Sequence, residues 1–256
     1  MKKILLLPLS LIYSFIIRLR NFLFDVNIVK STEFEISILS VGNLTVGGTG
    51  KTPHTEFIAS MLKDKFNIAV LSRGYKRKTK GFVLAKKDST VLEIGDEAKQ
   101  FSMKNPDLKV AVCEKRVAGV KKILDLDKNT EIVLLDDAFQ HRKIKADISI
   151  LLTDFNYPFF EDKMLPLGRL RENKSHYTRA NIVVVTKCPE DLKPIDRRLI
   201  AKNINLLPFQ TIYFTYLKYK ELIPVFKIKK FPLNLGQAKR AGLKIILVTG
   251  IANPKL

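Results

Sequence analysis

The stretch VGNLTVGGTGKTP (Val41 to Pro53) follows the apolar run Ile36 to Val41 and leads into a helix-like segment. A strand, a glycine-rich turn and a helix in that order make a phosphate-binding loop, in which successive backbone N–H groups form a nest for an anion. Gly47, Gly48 and Gly50 supply the backbone freedom that close approach requires. Lys51 then reaches the β and γ phosphates of a nucleotide as a point charge. The Thr52 hydroxyl is offered to Mg²⁺ at the helix N-terminus, where the helix dipole already favours anions. Thr45 stands where the strict pattern G-x-x-x-x-G-K-[ST] has its first glycine, so the loop is of the G-G-x-G-K-T variant.

A magnesium-dependent phosphate site also needs an acid at the end of a neighbouring strand. Ile132-Val-Leu-Leu-Asp136-Asp137 supplies two, because the apolar run buries the strand and delivers both carboxylates at its C-terminal edge. Gln140 and His141 follow at the same edge. Gly95-Asp96-Glu97 adds two more carboxylates at the expected start of a helix. They either complement the helix dipole or act in catalysis, one accepting a hydroxyl proton while the other holds the metal.

Around these motifs, β-rich apolar runs alternate with helical patterns. Strands are expected over Ile36–Val41, Ile68–Ser72, Lys109–Val112, Ile132–Leu135, Ile148–Leu152 and Ile182–Thr186, with helices over Thr52–Lys63, Gly95–Ser102 and Lys115–Leu124. That order predicts an α/β fold, a P-loop NTPase-like, mainly parallel sheet covered by helices. After Pro208 the texture changes: Thr211 to Tyr219 alternates with aromatics, Ile223 to Phe231 is basic and β-like, and Lys244 to Gly250 reads as a fresh strand. The expected organisation is an N-terminal interfacial helix in 1–30, a kinase domain in 31–207, and a linker with the beginning of a second, truncated α/β unit in 208–256.

The chain has 256 residues, 46% of them hydrophobic, enough for an ordered globular core. Its net charge of +20 calls for an anionic partner: nucleic acid, an acidic bilayer or a phosphorylated substrate. Cys113 and Cys188 match no metal or redox spacing and read as small buried hydrophobes. The apolar run Ile4 to Ile17 is about 14 residues long, short of the roughly 20 that a spanning helix needs, and Pro8, Ser10 and Ser14 interrupt it. Arg18 and Arg20 follow where small cleavage-site residues would belong in a signal peptide. The segment is either a helix packed on the domain or, as favoured, an interfacial helix with its apolar side among acyl chains.

Taken together, SVGNLTVGGTGKTP (Ser40 to Pro53), LSRGYKRK (Leu71 to Lys78), GDEA (Gly95 to Ala98), LLDDAFQHRKI (Leu134 to Ile144), LPLGRLRE (Leu165 to Glu172) and VTKC (Val185 to Cys188) resemble, in the same order, the tetraacyldisaccharide 4′-kinases of lipid A biosynthesis. The resemblance implies a kinase that moves the γ-phosphate of ATP to the 4′-hydroxyl of a tetraacylated glucosamine disaccharide 1-phosphate. It works peripherally, at the cytoplasmic face of the bacterial inner membrane. Nucleotide binding falls on Thr45, Val46, Gly47, Gly48, Thr49, Gly50, Lys51 and Thr52. Asp96 is implied as the base and Glu97 as a Mg²⁺ ligand; Asp136 and Asp137 take the paired-acid positions, one tuning the metal and the other assisting the base. Arg116 and Arg171 match basic positions linked to substrate or transition-state charge, where a planar guanidinium grips phosphate in two places.

The same resemblance implies a second α/β unit with a downstream Asp-His pair. The sequence contains only what looks like its opening, Thr249 to Pro254, which leads to the expectation of a fragment or of a truncated, catalytically impaired kinase. The positive charge is expected in clusters at Arg73, Lys76, Arg77, Lys78 and Lys80, at Lys227, Lys229 and Lys230, and at the N-terminus, facing an anionic membrane or the acceptor's phosphate. Two other classes compete. A P-loop ATPase of the partitioning or cargo-delivery type usually has an extra lysine before the glycines, where this chain has Val46. A nucleic-acid module would interleave aromatics with its basic clusters, which this chain does not. No nucleic-acid partner is expected, and oligomeric state is not legible.

Overall fold

A computed structural model describes residues 6–218, with the isolated positions 236, 240, 242 and 244. The β-like segments expected over 223–231 and 244–250, and the lysine cluster at 227–230, lie outside the described residues. The first element, helix α1 (Leu7–Asp25), outruns the apolar stretch that announces it. Pro8 sits in its first turn, where an N–H has no helical carbonyl to meet, so it opens the helix rather than interrupting it.

The chain then forms β1 (Ser37–Asn43), α2 (Lys51–Leu62), β2 (Ile68–Ser72), β3 (Val83–Leu84), α3 (Val91–Ile94), α4 (Asp96–Lys104), β4 (Lys109–Val112), α5 (Arg116–Leu126), β5 (Ile132–Asp136), β6 (Ile148–Asp154), β7 (Ile182–Thr186), α6 (Pro194–Ile204) and β8 (Thr211–Phe214). The strands make one eight-stranded sheet in the order β3-β4-β2-β5-β1-β6-β7-β8. All neighbours are parallel except β3 with β4. Strand β8 carries the sheet to Phe214, past the boundary expected at 207.

Both faces of the sheet are covered, which is why its strands read as unbroken apolar runs. Leu39, Val41, Val70 and Leu134 pack toward Ala59 of α2 and Ala98 and Phe101 of α4. Ile38, Leu71, Val133 and Leu135, their neighbours in the two-residue alternation of a strand, pack toward Val120 and Ile123 of α5. A third cluster joins Leu151 and Val183 to Phe159 and to Ile204 of α6. Cys113 and Cys188 are both buried and free. Strand β1 lies between β5 and β6, which belong to opposite halves of the sheet, so the crevice at its carboxyl end is a topological switch point.

Candidate functional site: a phosphate loop beside paired acids

The loop between β1 and α2 occupies that crevice. Left-handed backbone angles fall at Gly47 (φ 114°) and Gly50 (φ 83°), which therefore carry the conformational requirement of the turn. Gly50 caps α2, whose first turn holds Lys51 and Thr52. Thr45 is tolerated in place of glycine because the chain there is still extended: it bridges antiparallel to Leu170, the Val46 N–H donates to the Arg169 carbonyl at 2.8 Å, and the Arg171 N–H donates to the Leu44 carbonyl at 2.7 Å. The first half of the loop is thus a short ribbon with residues 169–171.

Asn43 ties this ribbon to the nest. It is fully buried; its amide nitrogen donates to Thr49 Oγ1 at 2.9 Å, and its Oδ1 and main-chain carbonyl accept from Arg171 Nη2, the latter at 3.1 Å. On the far side of the loop, Thr186 at the end of β7 donates to the Thr49 carbonyl at 3.0 Å. His54 Nδ1 donates to the Gly50 carbonyl at 2.7 Å while Nε2 faces Thr215 Oγ1 at 3.0 Å, an arrangement that suits a neutral ring, and burial lowers its pKa. The Val46 and Thr49 N–H groups are bonded to the Arg169 and Gly47 carbonyls, and the other N–H groups of the loop remain for an anion.

Alternation along β5 decides where the two acids go. Leu134 faces α2, so Asp136 does too, and it accepts a hydrogen bond from Thr55 Oγ1 at 2.9 Å. Asp136 is 5% exposed, and burial pushes its carboxyl up against the Thr55 bond, which favours the ionised form. Asp137 turns out of the strand with φ 47°. Lys51 Nζ lies 3.8 Å from its Oδ1 and Arg171 Nη2 donates to the same oxygen at 2.9 Å. Burial opposes ionisation there, but Lys51, Arg171 and Arg116 outweigh it and hold the carboxyl below the usual range.

Arg116 lies beneath the acids rather than on the open surface. It is buried, its Nη1 donates to the Cys113 carbonyl at 2.5 Å and its Nη2 to the Asp136 carbonyl at 3.3 Å. Burial lowers its pKa to about 10 while Asp136 and Asp137 pull it back, so it stays charged at neutral pH. In this geometry its charge is directed at the acid pair.

Asp96 and Glu97 open α4 across the cleft, and the Glu97 N–H donates to Asp96 Oδ1 at 2.9 Å. Gly95 is needed because a Cβ there would meet the Tyr75 carbonyl at 2.8 Å, and its φ of 86° is left-handed. Glu97 is at the surface, yet partial burial and then the nearby Asp136 and Asp96 raise its pKa. Among the described residues no three His, Cys, Asp or Glu side chains form a ready metal cage. Acids crowded until they raise one another's pKa suit a divalent ion brought in with phosphate oxygens, as Mg²⁺ sites are usually made. Thr52, Glu97 and Asp136 thus fit Mg²⁺, and the glycine nest with Lys51 fits a nucleotide triphosphate.

A cavity of about 320 Å³ opens beside Asp137 and Arg171, walled by His141 and Arg73 and roofed by Tyr13 and Arg20 of α1. Burial and Arg116 lower the pKa of His141 to about 4, so it stands there as a neutral imidazole. The site therefore gathers Lys51, Asp136, Asp137 and Arg171, which the sequence singles out. It adds Asn43, Tyr13 and Arg20, which the sequence does not. Asn43 lies inside the quoted loop motif, and its place two residues past the apolar run was the signal available. One member of the expected basic cluster is structural: Arg77 is inward, donating to Glu114 and to the Gly81 carbonyl, both at 2.6 Å.

A P-loop nest, a lysine and two strand-end acids on a covered parallel sheet define a phosphotransferase-type nucleotide site. Comparison with known proteins agrees. The chain matches LpxK, described as tetraacyldisaccharide-1-P 4′-kinase, over residues 2–256. It is 47% identical to the tetraacyldisaccharide 4′-kinase of Bacteroides thetaiotaomicron, with 97% of this chain and 67% of that protein covered. It is 46% identical to that of Flavobacterium psychrophilum, covering 98% and 72%. The crystal structure of LpxK from Aquifex aeolicus in complex with ATP superposes with a TM-score of 0.68 at 30% identity, over 88% of this chain and 85% of that one. The chain belongs to the tetraacyldisaccharide-1-P 4′-kinase family.

Proposed function

We infer that the chain transfers the γ-phosphate of ATP to the 4′-hydroxyl of a tetraacyl glucosamine disaccharide 1-phosphate, the lipid A 4′-kinase reaction. The observation that carries the residue assignment is the convergence of Lys51 and Arg171 on Asp137, beside the cavity of about 320 Å³. Residues 45–52 cradle the triphosphate, and Lys51 and Arg171 offset the charge that develops on the transferred group. When bound, Mg²⁺ would supply neutralisation of phosphate charge, and Thr52, Glu97 and Asp136 are the residues that would hold it. Asp96, at the start of α4 beside Glu97, is the group proposed to accept the hydroxyl proton, while Asp137, paired with two cations, orients Lys51 and Arg171 and assists that base. Arg116, from below, favours the ionised form of Asp137 and opposes the burial that pushes Asp136 up.

Helix α1 supports a membrane role because its amphipathy is inverted. Its inward stripe is polar: Ser10 donates to the Met164 carbonyl at 3.0 Å, Tyr13 to the Arg171 carbonyl at 2.9 Å, and Asn21 Nδ2 lies 3.2 Å from His176 Nδ1. Its outward side presents Leu11, Ile12, Phe15 (67% exposed), Ile16, Leu19 and Phe22. An apolar face turned outward fits an interfacial helix among acyl chains at the cytoplasmic leaflet of the inner membrane. The body of the kinase then runs from about residue 31 to the end of β8, with α1 docked on it, and the second unit is assigned to the sequence after Phe214.

The decisive assay mixes the chain, Mg²⁺, γ-labelled ATP and a tetraacyldisaccharide 1-phosphate in mixed micelles. Label in the lipid that requires both Mg²⁺ and Lys51 is the expected result, and label retained by Lys51→Ala with wild-type turnover would remove the loop from the mechanism.

A further inference from the structure

We propose that Tyr13 and Arg20 are positioning residues, through which the seating of α1 sets the catalytic edge, so that the helix governs turnover as well as attachment. The inference rests on the phosphotransfer reading above. The two side chains reach the two separate segments that build the site. Tyr13 Oη donates to the carbonyl of Arg171 at 2.9 Å, and the N–H of the same residue is bonded to Leu44 beside the phosphate loop at 2.7 Å. The main chain of Arg171 is therefore held from both sides while its guanidinium reaches Asp137 and Asn43. Arg20 Nη2 donates to the Gln140 carbonyl at 2.7 Å, in the turn that leaves Asp137.

A third observation shows a contact left incomplete. Glu172, the residue after Arg171, has no exposed surface; its Oε2 accepts from Arg179 and is bonded to His176 at 3.0 Å, but its buried Oε1 has no hydrogen-bond donor. Arg20 Nη1 is 3.8 Å from that oxygen, an ion pair not yet closed to a hydrogen bond. A buried carboxylate oxygen without a donor is costly, so a slightly tighter seating of α1 is favoured, and it draws residues 171 and 172 with it. The outward apolar face supplies the means: immobilising α1 in a lipid surface restricts the same helix whose inner face grips Arg171.

The test uses the full chain with Tyr13→Phe and Arg20→Lys. Four readouts are taken for each: kcat, KM for ATP, binding to vesicles of phosphatidylethanolamine and phosphatidylglycerol, and amide hydrogen exchange over residues 43–46 and 169–172. Tyr13→Phe removes one hydroxyl from the inward face, and a lost neutral hydrogen bond of this kind predicts a fall in kcat of roughly three- to tenfold. KM for ATP and vesicle binding stay as in the wild type, while exchange at the Arg171 amide accelerates. Arg20→Lys keeps the charge but not the two-pronged reach and gives an intermediate loss. Wild-type exchange at 169–172 in Tyr13→Phe overturns the proposal, whatever the activity. Loss of vesicle binding with unchanged kcat in micelles also overturns it, leaving α1 an anchor only. If the wild type transfers no phosphate, the functional reading fails, and the exchange measurement still decides this one.

Discussion

Asn43→Ala tests whether the loop is organised from the ribbon side. The side chain has no exposed surface, and its two ends bind different parts of the site: Nδ2 to Thr49 Oγ1 at 2.9 Å and Oδ1 to the Arg171 guanidinium. A neutral hydrogen bond contributes about 1 kcal/mol and one to a charged group about 1.5–3 kcal/mol. Arg171 keeps its bonds to Asp137 at 2.9 Å and to the Asn43 carbonyl at 3.1 Å, so the second loss falls at the low end of that range. The expected destabilisation is therefore ~2–3 kcal/mol, measured as a shift in the urea midpoint at constant slope. Catalysis should fall alongside, because Thr49 and Arg171 lose their common support; a misplaced pair worth ~1.4–2 kcal/mol lowers kcat/KM by about 10- to 30-fold. An Asn43→Ala protein within ~0.5 kcal/mol of wild type and with unchanged kcat/KM would refute the ribbon as the organiser of the site.

Three further outcomes are expected from the same geometry. Asp96→Asn should depress kcat far more than the affinity for ATP, measured by titration calorimetry beside steady-state kinetics, and an unchanged kcat reassigns Asp96 to the helix terminus. Thr186→Val removes the donor to the Thr49 carbonyl and should weaken ATP binding by about fivefold, with kcat at saturation little changed. His141 has its pKa lowered from 6.5 to about 4 by burial and by Arg116, so between those values the unfolded chain binds the extra proton. Its contribution to stability is present above 6.5 and lost as pH falls toward 4; His141→Asn should flatten the pH dependence of the urea midpoint across that window, and an unaltered slope would show that the imidazole is solvated.

Much of the sheet was legible because burial on both faces writes itself into the sequence. Strands β2, β4 and β7 run as the apolar runs suggest, and β1, β5 and β6 extend past them only by residues such as Asn43, Asp136 and Asp154, polar groups placed at the carboxyl edge for the site. Strand β3 was missed because two residues at an antiparallel edge carry no periodicity. Helix α6 was missed because its apolar side is thin: Ile195 and Leu199 are exposed and Ile204 is its buried residue. The phosphate loop and the acid pair were readable for a chemical reason, since glycines at left-handed angles and acids after a buried strand have few other uses.

What the sequence did not carry is the pairing of residues 44–46 with 169–171 and the roofing of the cavity by α1. Both are contacts between segments more than a hundred positions apart, made through main-chain carbonyls, which have the same chemistry at every residue. Arg171 is held beside Asp137 by its backbone as much as by its charge, and no side-chain pattern announces that. The inverted helix is the converse case. The residues Ser10, Tyr13, Ser14 and Asn21 look like interruptions of an apolar run when counted along the chain, and they become one inward stripe when wound at 3.6 residues per turn. A soluble core helix would bury the leucines and phenylalanines and expose those four. Apart from the buried Phe24, this one does the reverse: among the described residues its apolar face is uncovered, and its polar stripe is free to hold the site. The same inversion thus leaves an apolar face outward and places Tyr13 and Arg20 over the edge of the candidate site.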